Sequence, residues 1–357
     1  MSASDPVNPV TPLAGLGEDA ILARILPLLR RPGGRAGAAR DDVVVGPGDD
    51  AAVVSAPNPL VVTTDSMIRE RDWRDDWSAP ADVAHKLGAQ NISDIAAMGA
   101  VATAALLTVT ADPATPVSWV EQFAAGLGEW CGSAAVTIVG GDLSSAPDGV
   151  LQVSLTMWGD LQGRAPVLRS GARPGDVLAV CGSLGWSSAG LEAYAVGRSD
   201  LAPVSQWRRY HRRPRPPWEA GPMAADAGAT AMIDLSDGLV RDAGRVATAG
   251  GVVLDLDRRV LDEAFVAALG PVHSPGAAWR HVLGGGEEHS LLATFPHASG
   301  PPHTPGTPWR VIGSVRAGEP GVTLDGEPLA VVGWDHFEAT EERPARADTR
   351  TADHPGG

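Results

Sequence analysis

Gln90-Asn91-Ile92-Ser93-Asp94-Ile95-Ala96-Ala97-Met98-Gly99-Ala100 is the stretch on which the fold of this 357-residue chain turns. It closes a run, 79–98, in which Ala84, Leu87, Ile92, Ile95 and Met98 recur at helical spacing, so the spacing predicts a helix with one apolar stripe. Upstream, short β-like runs at 43–45, 51–54 and 60–64 follow an amphipathic helix expected over 13–30, where Leu16, Ile21, Leu22, Ile25, Leu26 and Leu29 share a face. Gly17-Glu18-Asp19 places acids at that helix's start, where the backbone dipole favours them. Downstream come a strand at 104–109, a helix at about 117–132, and strands at 135–139 and 152–158. The turn-rich segment 169–176, Arg-Ser-Gly-Ala-Arg-Pro-Gly-Asp, then precedes a buried strand at 177–180. The second half repeats the mixture: helices around 187–197 and 238–249, strands at 229–233 and 252–256. The expectation is an α/β (α+β) chain of two domains, 1–165 and 166–340. The polar, Pro-rich stretch 341–357 is expected to be a disordered tail.

Composition narrows the function. Hydrophobic residues make up 44% and charged residues 20%, enough for sizeable cores, and the length suits two ordinary domains. The net charge of −15, with no basic stripe, argues against nucleic acid as a partner, which needs clustered Lys and Arg. Two cysteines, Cys131 and Cys181, build neither a disulfide framework nor a zinc site and are expected to be buried. No apolar run reaches the length of a membrane span and no signal peptide is visible, so a cytoplasmic location is expected. Among 28 basic residues Lys86 is the one lysine, and His85 precedes it where a P-loop needs Gly. The protein-kinase lysine stands on a Val-Ala-x-Lys strand, whereas Val83-Ala84-His85-Lys86 falls in the expected helix 79–98, so neither of those routes to ATP is open.

The chemistry lies in a set of aspartates beside glycine or small residues. They are Asp49 and Asp50 in Gly-Pro-Gly-Asp-Asp-Ala-Ala, Asp65 after Val-Val-Thr-Thr, Asp94, Asp142 after Ile-Val-Gly-Gly, and Asp234 and Asp237 in Ile-Asp-Leu-Ser-Asp-Gly-Leu. Any single one suits a turn or a helix cap, Asp234 in particular for a helix starting near Ser236. As a set, apolar runs leading repeatedly into an acid point to carboxylates gathered in one cleft. Such carboxylates repel one another unless cations sit among them. Magnesium takes hard oxygen ligands and bridges them to phosphate, so several Mg2+ ions gripping a polyphosphate would resolve the repulsion.

These motifs resemble the thiamine-monophosphate kinase family, in order and spacing over about residues 13–337. The string around Asp94 is the most specific. Gly46–Ala52, Thr63-Thr64-Asp65, Lys86, Gly140-Gly141-Asp142, the 169–176 turn, Asp234–Leu239, Gly285-Gly286-Glu287 and Gly333–Phe337 complete the series. The resemblance implies the two-domain fold of aminoimidazole ribonucleotide synthetase, an N-terminal mixed sheet with helices that also dimerises, and a C-terminal α/β domain completing the cleft. It implies ATP and thiamine monophosphate as substrates and a homodimer joined through the N-terminal sheets. By motif, Asp49, Thr64, Asp65, Asp94, Asp142, Asp234 and Asp237 would hold Mg2+, and Gly141, Asp142, Arg169 and Ser236 would contact ATP. Asp72, Glu287 and Trp334 would meet the substrate, where an aromatic face suits a cationic thiazolium. No covalent nucleophile is implied.

Two departures lie at the acceptor end. Asp72-Trp73 stands where the family has His-Phe, and Glu288-His289-Ser290 replaces Asp-Tyr-Glu. A related enzyme with a changed acceptor, or a non-catalytic Mg–ATP sensor, therefore remains open at this point. Lys86 reads either as a surface lysine or as an ammonium kept for a phosphate or carboxylate. Arg169 reads as a surface ion pair or a phosphate contact, and Trp334 as core or substrate platform. The run 208–213 reads as a solvated helix end, and His85, His211 and His289 receive no role because they lack metal-ligand spacing.

Overall fold

The computed structural model describes residues 59–197 and 202–334 in full, residues 21, 24, 25, 27 and 28, and the backbone of Val43–Val45 and Val53–Val54. Asp49, Asp50, 335–337 and the 341–357 tail lie outside the described residues. β1 (Val43–Val45) and β2 (Val53–Val54) pair antiparallel. A four-stranded sheet follows, built from β3 (Leu60–Ile68), β4 (Val101–Ala111), β5 (Thr137–Ser145) and β6 (Leu151–Asp160) in the order β3-β6-β4-β5. Helices α1 (Pro80–Ala97) and α2 (Val117–Ala134) belong to the same unit. Met67, Val109, Val153, Leu155 and Met157 from the sheet share one core with Leu87, Ile92, Phe123 and Leu127 from the helices. Each such side chain stabilises the fold by roughly 1.5–3 kcal/mol.

α1 begins where Pro80 pre-sets the first helical turn and Asp82 accepts from the Ala79 amide at 3.1 Å, satisfying an end donor. It ends at Gly99, whose φ of +78° favours glycine. The expected helix 79–98 is therefore present almost residue for residue. Glycines let it sit tightly between its neighbours. A Cβ on Gly88 would lie 2.5 Å from the Trp130 ring of α2.

The C-terminal sheet has seven strands. They are β7 (Asp176–Cys181), β8 (Ala231–Leu235), β9 (Val253–Leu256), β10 (Ser290–Pro296), β11 (Trp309–Arg316), β12 (Gly321–Leu324) and β13 (Glu327–Pro328). Their order across the sheet is β13-β12-β9-β11-β7-β10-β8. Helices α3 (Trp186–Ala195), α4 (Val204–Arg212), α5 (Ala220–Asp226), α6 (Leu239–Gly250) and α7 (Pro275–Gly284) accompany it. Its core draws on Leu178, Val180, Ile233, Leu254 and Leu292. A third apolar cluster joins the two units, with Ala96 and Ala97 of α1 against Ala220 and Ala224 of α5, Met232 of β8 and Leu291 of β10. α1 is thus shared by both cores.

Candidate active site

Helical spacing aims one side of α1 at the second unit. Asp82 pairs with Arg212, at 3.2 Å, and with Arg213. One turn on, Lys86 Nζ lies 2.5 Å from Glu287 Oε1. Two turns further, the Ser93 hydroxyl donates to Asp234 Oδ2 at 2.9 Å. β3 approaches the same end of α1, and the Thr63 hydroxyl donates to Asp94 Oδ2 at 2.6 Å. Asp65, two residues along the same face of β3, feels both Asp234 and His289.

Asp65, Asp94 and Asp234 therefore form one carboxylate cluster at the junction of β3, α1 and β8. Burial pushes the Asp65 carboxyl above its usual range, with His289 opposing and Asp234 adding to the rise. Burial and then the Asp234 and Asp65 charges push Asp94 up to about 7, against the Thr63 hydrogen bond. Asp65 Oδ2 is buried and has no hydrogen-bond partner among the described residues. A buried carboxylate oxygen without a donor is costly, and a cation would relieve it. The donor set is oxygen-rich and hard, which fits Mg2+.

Asp65 lies within β3, Asp94 within α1 and Asp142 within β5, while Asp234 is the last residue but one of β8. Backbone pairing runs on past the apolar stretches, so the expected strand 135–139 extends to Ser145 alongside β4. Asp234 caps no helix, because α6 starts later, at Leu239, behind Gly238.

Asp237 sits 2.6 Å from Arg245, and its amide donates to Asp242 at 3.0 Å. Burial and then Asp234 push the enclosed Asp242 up to about 7. The Trp334 amide donates to the Asp237 carbonyl at 2.9 Å, which brings the half-buried Trp334 alongside. Ser236 is held by its carbonyl, which accepts from the Glu287 amide at 2.7 Å.

The Glu287 loop is the second focus. Glu287 and His289 both have positive φ, +60° and +52°, which is uncommon for residues with a Cβ and is typical of backbone held for function. Burial raises the Glu287 carboxyl, but Lys86 and then His211, 3.2 Å away, outweigh it, so the net position is below the usual range. His211 is itself driven down to about 3, by burial and then by Lys86. Asp72 accepts from the Ile68 amide at 2.7 Å, and its carboxyl is raised by burial and, further, by Glu287. Asp72, Lys86, Glu287 and His211 are therefore neighbours. Trp73, by contrast, is core, stacked 6.1 Å from Trp119.

Behind this loop, Glu288 is enclosed, accepting from the Ser183 hydroxyl at 2.7 Å and the Ser187 amide at 2.6 Å, with burial pushing it up to about 7. His289 is buried 3.4 Å from Asp234. Burial lowers it, but Asp234 more than compensates, so the net shift is upward. The run 208–213 is not a solvated helix end. His211 is buried, the Tyr210 hydroxyl donates to the Glu288 carbonyl at 3.0 Å, and Arg212 and Arg213 are taken by Asp82. A buried acid on α1 draws the basic residues inward.

Four expected site residues stand elsewhere in the single chain. Asp142 and Ser144, bonded to each other at 2.6 Å, face outward from β5, while Leu143 packs inward on the core. Thr64 is on the same outer face, bonded to Thr156 at 3.0 Å. Asp142 is aligned through Thr108 and Ser154 with Ser66, three strand spacings or roughly 14 Å across the sheet. Gly141 belongs to that strand too, and a Cβ there would lie 1.8 Å from the Leu107 carbonyl oxygen. Arg169 is exposed, on a short turn whose Gly171 abuts Thr230, at the far end of β8 from Asp234.

Comparison with known proteins matches this architecture. The family model for the AIR synthase related protein N-terminal domain matches residues 48–161, and that for the C-terminal domain matches 173–280. The thiamine-monophosphate kinase of Mycobacterium tuberculosis is 43% identical over 331 residues, covering 91% of this chain and 93% of that protein. The crystal structure of thiamine-monophosphate kinase from Stenotrophomonas maltophilia K279a superposes with a TM-score of 0.72 at 28% identity, covering 87% of this chain and 96% of that one. A structure of AaThiL complexed with AMPPCP and TMP superposes with a TM-score of 0.70 at 28% identity, over 92% and 99% of the two chains. With two AIR synthase related domains in sequence and a full-length relative at this identity, the chain belongs to the thiamine-monophosphate kinase family.

Proposed function

We propose that this chain transfers the terminal phosphoryl group of ATP to thiamine monophosphate, giving ADP and thiamine diphosphate. The observation that carries the reading is the carboxylate cluster of Asp65, Asp94 and Asp234, with its unpartnered oxygen, at the junction of the two units in a chain of this family. The complex of a relative with AMPPCP and TMP supports both substrates.

Asp65, Asp94 and Asp234 would hold Mg2+, together with Asp49, Thr64, Asp142 and Asp237. When bound, the metal supplies charge neutralisation for the phosphates and orients them. The chain's own part is positioning. Thr63 fixes Asp94 and Ser93 fixes Asp234, so two carboxylates from different units keep their mutual orientation. Gly141, Arg169 and Ser236 would contact ATP. Asp72, Glu287 and Trp334 would line the acceptor end, with the Lys86 ammonium holding Glu287 ionised. Acid–base work is minor because the acceptor is already an ionised phosphate, and no covalent nucleophile is needed.

The outer face of the four-stranded sheet supports a homodimer. Leu60, Val62 and Ile68 are 40%, 63% and 37% exposed on one side of β3, a two-residue alternation that elsewhere in the sheet marks a covered face. Asp142 and Thr64 are on this side, so they would join a metal site only when a second copy covers it. No helix among the described residues is long and apolar enough to cross a membrane. A cytoplasmic location and the absence of nucleic acid from its partners belong to the same reading.

The test is an ADP-release assay with thiamine monophosphate, thiamine and hydroxymethylpyrimidine phosphates as competing acceptors. ADP should form with thiamine monophosphate and require Mg2+. Release with another acceptor only would shift the activity within the superfamily, and Mg–ATP binding without turnover would make the chain a sensor.

A further inference from the structure

Away from the carboxylate cluster, the C-terminal unit brings together Glu192 on α3, His273 on the turn before α7, and His281 on α7. One ligand atom from each lies within 4.8 Å of the other two, and the Glu192 Oε2 carboxylate oxygen is beside both His273 Nδ1 and His281 Nε2. We propose that Glu192, His273 and His281 form a second metal site, for a zinc-class transition ion.

The donor set decides the class of ion. Two imidazole nitrogens and one carboxylate suit Zn2+ and its first-row neighbours, whereas Mg2+ and Ca2+ favour all-oxygen shells. In a tetrahedral zinc site with bonds of about 2.0–2.1 Å, neighbouring donors stand roughly 3.3–3.4 Å apart. Glu192 Oε2 and His273 Nδ1 are 3.5 Å apart, already at that spacing. Glu192 Oε2 and His281 Nε2 are 2.7 Å apart, a direct hydrogen bond, so this pair opens by about 0.6 Å when an ion enters between them.

The surroundings suit a ligand role. The other nitrogen of His281, Nδ1, is 2.8 Å from the Ser188 hydroxyl. A hydroxyl donates or accepts, so it serves either tautomer of the ring. Without metal, Nε2–H donates to Glu192 and Ser188 donates to Nδ1. With metal on Nε2, the ring proton moves to Nδ1 and donates to Ser188, the outer-shell bond that orients ligating histidines. Buried His273 is fixed between the Trp207 ring, at 5.4 Å, and the edge of His281, at 4.6 Å. The Glu192 side chain is 38% exposed, which leaves a path for the ion and room for water as fourth ligand.

The position also gives the ion a consequence. α7 runs directly into Gly285-Gly286-Glu287, and the start of α3 donates its Ser187 amide to Glu288. A metal bridging Glu192 to the two histidines ties α3 to α7, the two helices that hold the ends of that loop. It is a clamp on the acceptor loop, separate from the acids that face ATP.

The experiment uses the full chain stripped with a chelator and titrated with Co2+ in excess Mg2+, which occupies the carboxylate cluster. Binding is read by the visible absorption of tetrahedral Co2+, and Zn2+ competition and a rise in melting temperature are read beside it. One equivalent should bind, and Zn2+ should displace it. His281→Ala and the near-isosteric Glu192→Gln should lose that equivalent, and Ser188→Ala should weaken it by about 10–100-fold. Metal-free melts of each variant show that the fold is retained, and Glu192→Gln, at a partly exposed position, serves if His281→Ala fails to fold. Binding to these variants as tight as to the wild type, or no tetrahedral Co2+ signal in the wild type, overturns the site.

Discussion

Lys86 Nζ on α1 lies 2.5 Å from Glu287 Oε1 on the loop before β10, and this contact ties the two units together at the acceptor end. Lys86 is 3% exposed and is the chain's one lysine. A guanidinium would need a planar fork of acceptors, and the pocket offers Glu287 and, at 3.5 Å, the Asp72 carbonyl. Lys86→Met would strand Glu287. Breaking a fully buried pair costs about 3–5 kcal/mol, and the 31% exposure of the Glu287 side chain brings the expected loss to about 2–3 kcal/mol. Urea unfolding measures it. The sign with pH follows from the lowered Glu287 carboxyl: its stabilisation is present above the usual Glu range and is lost as pH falls through the lower folded value. In Lys86→Met that acid-side loss should disappear.

Glu288 gives the opposite sign. Its folded carboxyl is raised to about 7 from 4.5, so its contribution is full below about 4.5 and is lost as pH rises through about 7. Each pH unit between those two values is worth about 1.4 kcal/mol, so the change amounts to a few kcal/mol. Denaturant midpoints measured from pH 4.5 to 7.5 should fall in the wild type relative to Glu288→Gln, which carries no proton to lose. Parallel curves for the two proteins would show that Glu288 ionises freely in the folded state.

How far this was legible can be judged from α1 and the Glu287 loop. The apolar stripe of Ala84, Leu87, Ile92, Ile95 and Met98 reports a helix directly, because burial on one face leaves a period in the sequence. Asp65, Asp94 and Asp234 were legible as a set, since each interrupts an apolar run and all three meet. His211 and His289 were not. They reach the site because α4 folds back onto α1 and because residues 287 and 289 adopt positive φ, and neither event leaves a spacing pattern. β10 was hidden for another reason. Six of its seven residues are buried, so it shows no alternation.

Removing divalent metal should act through the same acids. In the metal-free protein the raised Asp94 means that stability is full below about 4 and is lost as pH rises through about 7, as Asp65, Asp94 and Asp234 come to share negative charge. Mg2+ favours the ionised set, so its stabilising effect should be larger at pH 8 than at pH 6. At a hundred times its dissociation constant the ion contributes about 2.7 kcal/mol. Thermal melts with Mg2+ and with chelator at the two pH values make the comparison. An effect independent of pH would mean that the ion binds away from Asp94.

Gly141→Ala tests the backbone beneath the Gly-Gly-Asp motif. The added methyl would lie 1.8 Å from the Leu107 carbonyl oxygen, so β5 must shift away from β4. Lost pairing at a strained strand should cost more than about 2 kcal/mol, read as a lower denaturant midpoint. Gly149→Ala is the control for substitution alone, because nothing lies within 4 Å of a Cβ there, although its φ of +80° adds a backbone cost of its own. Equal midpoints for the two variants would remove the steric argument.

Val62→Asp and Asp142→Asn together separate assembly from chemistry. Val62 is 63% exposed on the outer face of the four-stranded sheet, and Asp142 is exposed on the same face. Neither supports the core of its own unit, so each should change monomer stability by less than about 0.5 kcal/mol. A buried, unpaired carboxylate at Val62 would oppose a dimer formed through this face, and light scattering should report monomers. Asp142→Asn should stay dimeric, melt like the wild type, and lose turnover by at least about a hundredfold, as expected when a charge-stabilising ligand is removed from phosphoryl transfer. If Val62→Asp remains a dimer, the contact lies elsewhere on the chain. If Asp142→Asn turns over normally, the outer-face acid is not a metal ligand, and the carboxylates of β3, α1 and β8 hold the ions without it.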